Sequence, residues 1–229
     1  MISLKKTIHC VYGRKAQRPS FVRDVVGLPT TDFATPISLS QYVDGVRGGS
    51  DHLIDLAIVR VYKDERARRD RLVAQALQTA RDIWETNGFS IGRCSWLHPS
   101  EEFVDTWRDI SPSAALRLNL FDSPDRGMDV FFVEDLGDKA GRATIEGAVV
   151  AVDLSTSGER LGRTLAHEMG HALGLGHRLD GTNDVLGFEP LNVSLMRQSK
   201  DVRDPMRAIR LGSTERSVVR ASSFVRRGC

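Results

Sequence analysis

The run His167-Glu168-Met169-Gly170-His171-Ala172-Leu173-Gly174-Leu175-Gly176-His177 carries three imidazoles, one carboxylate and a glycine in the spacing H-E-x-x-H-x-x-G-x-x-H. Histidines four residues apart on a helix share a face, with Cα atoms about 6 Å apart. Two imidazoles so placed can converge on one ion at about 2.0–2.1 Å. Gly174 can adopt the positive φ of an abrupt helix exit, which brings His177 round as a third nitrogen donor. Three protein ligands leave a fourth position for water, the mark of a catalytic rather than a structural zinc site. Glu168 points elsewhere around the helix. It is placed to take a proton from a zinc-activated water and return it to a leaving amine, which is peptide hydrolysis without a covalent intermediate. The H-E-x-x-H core arises by chance in roughly one chain in a few hundred of this size, and the full pattern on the order of 10⁻⁵. Chance does not account for it.

The elements that must hold these residues are legible around them. Leu161, Leu165, Met169 and Ala172 form the buried stripe of a helix that ends at Gly174. A second helix opens near Asp64, carries Leu72, Ala76, Ala80 and Ile83 inward, and stops at Asn87-Gly88. Its charged side (Arg68, Arg69, Arg71, Arg81, Asp82) reads as a solvated face. Strands are predicted over 52–61, 89–97, 116–121, 128–133 and 148–152, with a short, partly polar edge strand over 142–146. A short helix on Phe103, Trp107 and Ile110 follows Pro99-Ser100, and these aromatics read as core. The order predicts an α+β fold, a mixed twisted sheet backed by two long helices.

Composition sets the frame. The chain has 229 residues, with 41% hydrophobic and 27% charged residues, which suits a globular protein with a true core. No stretch reaches the eighteen or so apolar residues of a membrane span, and the first ten residues lack the apolar region of a secretory signal. Cys10, Cys94 and Cys229 stand far apart and define no disulfide scaffold. From Arg197 onward nine Lys and Arg residues face three acidic ones. With Phe224 the one aromatic residue among them and no aromatic interleaving of the charges, this reads as a solvated helix face and a frayed basic end, and no specific nucleic-acid partner is expected. Residues 1–50 are rich in Gly, Pro, Ser and Thr and show no sustained period. They read as an irregular N-terminal extension, either a plain leader or a pro-segment in which Cys10 or an Asp latches the metal.

HEMGHALGLGH resembles the signature of the metzincin clan of zinc metallopeptidases. The likeness extends to Asn192-Val193-Ser194-Leu195-Met196, which is similar to the clan's Met-turn and stands at a spacing closest to matrixin-like bacterial members. The resemblance implies a zinc endopeptidase with one catalytic Zn²⁺ held by His167, His171 and His177. Glu168 would be the general base and acid, with Met196 packed beneath the imidazoles in a C-terminal subdomain. It implies a catalytic domain over 51–229, a C-terminal helix over 213–224 capped by Ser213, and an edge strand near 139–146 that pairs with an extended polypeptide substrate. It further implies secretion, which the missing apolar leader leaves open, and a monomer is expected. Gln198 stands where some metzincins carry a zinc-associated tyrosine, Arg178 matches no familiar subfamily marker, and residues 1–50 match nothing in the clan. Two other readings fit the same residues: a toxin-like zinc hydrolase of a non-peptide amide, and a metal-binding interaction module without turnover.

Overall fold

The computed structural model describes residues 21–24, 51–115, 117–118, 127–143, 147, 149–156, 158–176, 193–194 and 209–227. Its centre is strand β2 (His52–Val61). Ile54, Leu56 and Ile58 face one core while Ala57, Val59 and Val61 face another, so a nearly continuous apolar run is buried on both sides. Strand β3 (Ser90–Pro99) lies parallel to β2 on one side and β4 (Met128–Val133) parallel on the other. Beyond β4 comes β6 (Val149–Asp153), parallel, and then β5 (Gly141–Ala143), antiparallel, at the end of the strand order.

The first core lies between this sheet and two helices. Helix α1 (Arg66–Thr86) contributes Val73, Ala76, Leu77, Ala80, Ile83 and Trp84. It stops as its sequence predicts: Gly88 takes φ 85°. Asn87 Nδ2 donates to the Ile83 carbonyl at 2.7 Å, and its Oδ1 accepts from Leu211 N at 2.6 Å. The opposite face of the sheet is closed by α2 (Glu101–Trp107), α3 (Pro112–Ala115) and Leu136. Ser100 Oγ caps α2 by accepting from Phe103 N, and Phe103 and Val104 are buried.

Several expectations are corrected. The composition of residues 1–50 predicts an irregular extension, yet Phe21–Asp24 form strand β1, antiparallel to β3 at the edge opposite β5. Within the expected strand 116–121, Arg117 and Leu118 form a 3₁₀ turn that buries Leu118, and the other four residues lie outside the described ones. The C-terminal helix α5 spans Ser213–Ala221, shorter than expected, and its N-cap is Gly212 rather than Ser213. The Gly212 N–H donates to Glu215 at 2.7 Å. The basic end is not frayed over Val225–Arg227. It forms strand β9, antiparallel to His52–Ile54, and Arg226 holds Asp55 through two bonds of 2.7 and 3.0 Å. On α1, Arg68 and Arg71 are exposed, but Arg69 and Arg81 are partly buried and paired with acids. Two short parallel strands, β7 (Val193–Ser194) and β8 (Ile209–Arg210), pair apart from the main sheet. Among the described residues no helix is long and apolar enough to cross a membrane.

Candidate metal centre

Helix α4 (Gly158–Ala172) carries the chemistry and is fixed against α1. Leu161, Leu165, Ala166, Met169 and Ala172 turn into the first core. At Gly162 the two helices come so close that a Cβ there would lie 2.3 Å from Thr79 Cβ. Glycine is the residue type that permits this approach. The contact sets the depth of α4, and with it the height of His167, Glu168 and His171 above the sheet.

The helix ends by a glycine mechanism visible in its hydrogen bonds. Gly174 takes φ 99°, its N–H donates to the His171 carbonyl at 2.9 Å, and Leu175 N–H donates to the Gly170 carbonyl at 2.9 Å. This is a Schellman end, with Leu175 as its buried apolar residue. The turn also swings the Leu175 carbonyl under the second histidine, where His171 Nδ1 donates to it at 2.7 Å. A carbonyl can only accept, so Nδ1 carries a proton, and in a neutral ring the lone pair then falls on Nε2. The ring of His167 stands 4.7 Å from that of His171, at 87° to it.

Glu168 is buried and lies against strand β5. A Cβ on Gly141 would come within 2.7 Å of Glu168 Cγ and 2.7 Å of Thr164 Cγ2. Burial pushes the carboxyl up to about 7, partly opposed by the Arg142 charge and by the Ala143 N–H that donates to it. A cation beside it would act in the same direction as Arg142.

The structure thus brings His167, His171 and Glu168 together, with the glutamate turned toward β5 and the two imidazoles side by side. His177 and Met196 lie outside the described residues. Among the described residues no group of three metal-capable side chains is assembled. The His171 imidazole suits a metal: a ligand histidine that donates its second nitrogen to a carbonyl has the arrangement that fixes tautomer and ring orientation. Sequence reasoning missed Leu175, Gly141, Thr164 and Ala143. Only Gly141 had a visible signal, as the last glycine of the loop before the edge strand.

No protein-family model matches the chain, and no curated protein matches its sequence. Solved structures are similar at low identity. Metalloproteinase-II from Bacteroides fragilis is 16% identical, with 75% of this chain and 54% of that one covered at a TM-score of 0.43. Archaemetzincin from Methanopyrus kandleri is 14% identical over 77% of this chain and 97% of that one, at 0.44. Mature mirolysin from Tannerella forsythia, in complex with a cleaved peptide, is 14% identical over 76% and 92%, at 0.42. The chain therefore spans about half the length of the Bacteroides protein.

Proposed function

We propose that residues 51–229 form a zinc-dependent endopeptidase of metzincin type, close to matrixin-like bacterial members, preceded by the extension 1–50. His167, His171 and His177 would hold one Zn²⁺, and Met196 would pack beneath them in a C-terminal subdomain. When bound, zinc supplies Lewis acidity to a water and to the scissile carbonyl. The observation that carries the reading is the His171–Leu175 bond, which directs the Nε2 lone pair of a helical histidine whose i−4 neighbour is a second histidine.

The chain's own residues supply the rest. Burial pushes the Glu168 carboxyl up to about 7 in the metal-free chain and a bound cation would draw it down, so the group can take up a proton and give it back. Its burial against β5 excludes water from one side of the carboxylate. Strand β5 lies at the sheet edge, where an extended polypeptide can add as a further strand through backbone hydrogen bonds.

The test uses the full chain and an unstructured protein substrate. One zinc per chain is expected, with cleavage abolished by chelation and restored by zinc. Glu168→Ala should keep its zinc and lose turnover by about 10²–10⁴, and His171→Ala should lose zinc. Undiminished cleavage by Glu168→Ala sinks the mechanism. Zinc binding without cleavage of any peptide bond would favour an interaction module or a non-peptide amide hydrolase.

A further inference from the structure

Strand β5 pairs with β6 in the antiparallel register Gly141↔Val152, Arg142↔Ala151 and Ala143↔Val150. One residue earlier, Asp153 N donates to the Ala140 carbonyl at 3.0 Å, which makes Ala140 and Asp153 a hydrogen-bonded pair. Bonded and non-bonded pairs alternate along an antiparallel ladder. Arg142 therefore bonds to β6 through its backbone, while Gly141 and Ala143 turn their N–H and C=O groups to the open edge. Glu168 crosses the face of the strand there, its Cγ and Oε1 at 2.7 and 3.0 Å from where a Gly141 Cβ would lie, and its carboxylate accepts from the Ala143 N–H.

We infer that β5 is the positioning element of Glu168: the missing side chain at Gly141 admits the glutamate to the strand, and the outward N–H of Ala143 holds its carboxylate. Gly141 and Ala143 are positioning residues, acting on the reaction through Glu168. An edge strand that binds peptide thus has one of its outward donors engaged by the proton-carrying group. A peptide that pairs with β5 must share the Ala143 N–H with Glu168 or displace it, which couples strand addition to the placement of the base. Calling Glu168 a base rests on the peptidase reading above, but the contact itself does not.

The experiment follows backbone amide exchange by NMR in the full-length protein, as wild type, Glu168→Ala and Gly141→Ala. In Glu168→Ala the Ala143 amide should exchange faster by at least about tenfold, while Arg142, bonded to β6, stays unchanged. Gly141→Ala should speed Ala143 exchange in the same way. It should also lower kcat about tenfold with zinc content unaltered, because the glutamate is displaced while the histidines are untouched. Ala143 exchange insensitive to Glu168→Ala overturns the inference, as does a Gly141→Ala enzyme with wild-type kcat. Should Gly141→Ala not fold, the Glu168→Ala arm decides alone, since it removes atoms and adds none. If wild type cleaves nothing yet Ala143 loses protection in Glu168→Ala, the contact stands and the peptidase reading falls. If wild type cleaves and Ala143 is indifferent, the reverse holds.

Discussion

Two buried carboxylates, one on each long helix, face the same side of the sheet and are provided for differently. Asp70 on α1 is 2% exposed and Glu168 on α4 is 8% exposed. Asp70 receives Arg60 Nη1 at 2.8 Å and the Tyr62 hydroxyl, and the Arg60 guanidinium lies 5.3 Å from the Trp96 ring centroid. Its charge is matched in place by a cation that the core also holds. Glu168 has a backbone N–H and the Arg142 charge, and these do not offset its burial, because the carboxyl is pushed up to about 7. A matched carboxylate anchors a fold. One left short of its matching charge can exchange a proton near neutral pH, and the fold bears a cost for keeping it.

Opposite signs of stability change test this contrast most strongly. Asp70→Asn leaves Arg60 buried without its counter-charge and should cost about 3–5 kcal/mol in urea unfolding, with turnover per folded molecule unchanged. Glu168→Gln should do the reverse in the metal-free protein. The folded carboxyl titrates near 7, above its ordinary 4.5, so the folded state binds the proton more tightly. That contribution is fully present below pH 4.5 and is lost as pH rises through 7. The substitution should therefore stabilise the metal-free fold by about 3 kcal/mol at pH 8 and by little at pH 4.5. Two losses of the same sign at pH 8 would break the comparison.

A smaller effect separates the site from its support. Gly174→Ala places a Cβ at φ 99° and should cost about 1 kcal/mol, with weaker zinc binding as the Leu175 carbonyl shifts under His171. Unaltered zinc affinity would mean that the helix exit does not orient the ligand. Least in stability terms is Cys94, a thiol that burial, and then the Asp55 charge, push up to about 12. It shares the cause of the Glu168 shift but has no part in the centre. Folded protein at pH 8 should alkylate there about a thousandfold more slowly than unfolded protein, followed on the Cys94 peptide by mass spectrometry. Ready labelling would show that burial at this strand does not suppress ionisation.

What could be read from the sequence follows the range of the forces involved. Helices α1 and α4 declare themselves by apolar residues at the helical period and strands β2, β4 and β6 by short apolar runs, and Gly88 and Gly174 mark ends that need positive φ. Strands β1 and β9 do not. Phe21–Asp24 and Val225–Arg227 are short and partly charged, and they exist through partners far along the chain: Trp96–Pro99 and His52–Ile54. The Ser213 cap fails by one residue because Glu215 reaches back to Gly212 instead. In the centre, His167, Glu168 and His171 were readable as a motif. Gly141 showed only as a loop glycine, because its role is to have no side chain where another element's glutamate must pass. Arg60 and Asp70 were opaque for a similar reason: only their pairing explains a charge inside an apolar strand.

The Schellman end of α4 bears on transplanting such a centre. One peptide group, the carbonyl of Leu175, belongs both to the helix stop and to the orientation of His171. A graft of the two helical histidines onto a longer, uninterrupted helix would carry the imidazoles but leave behind the acceptor that sets which nitrogen is available. For the helical histidine pair the portable unit runs from His167 through Leu175, exit included.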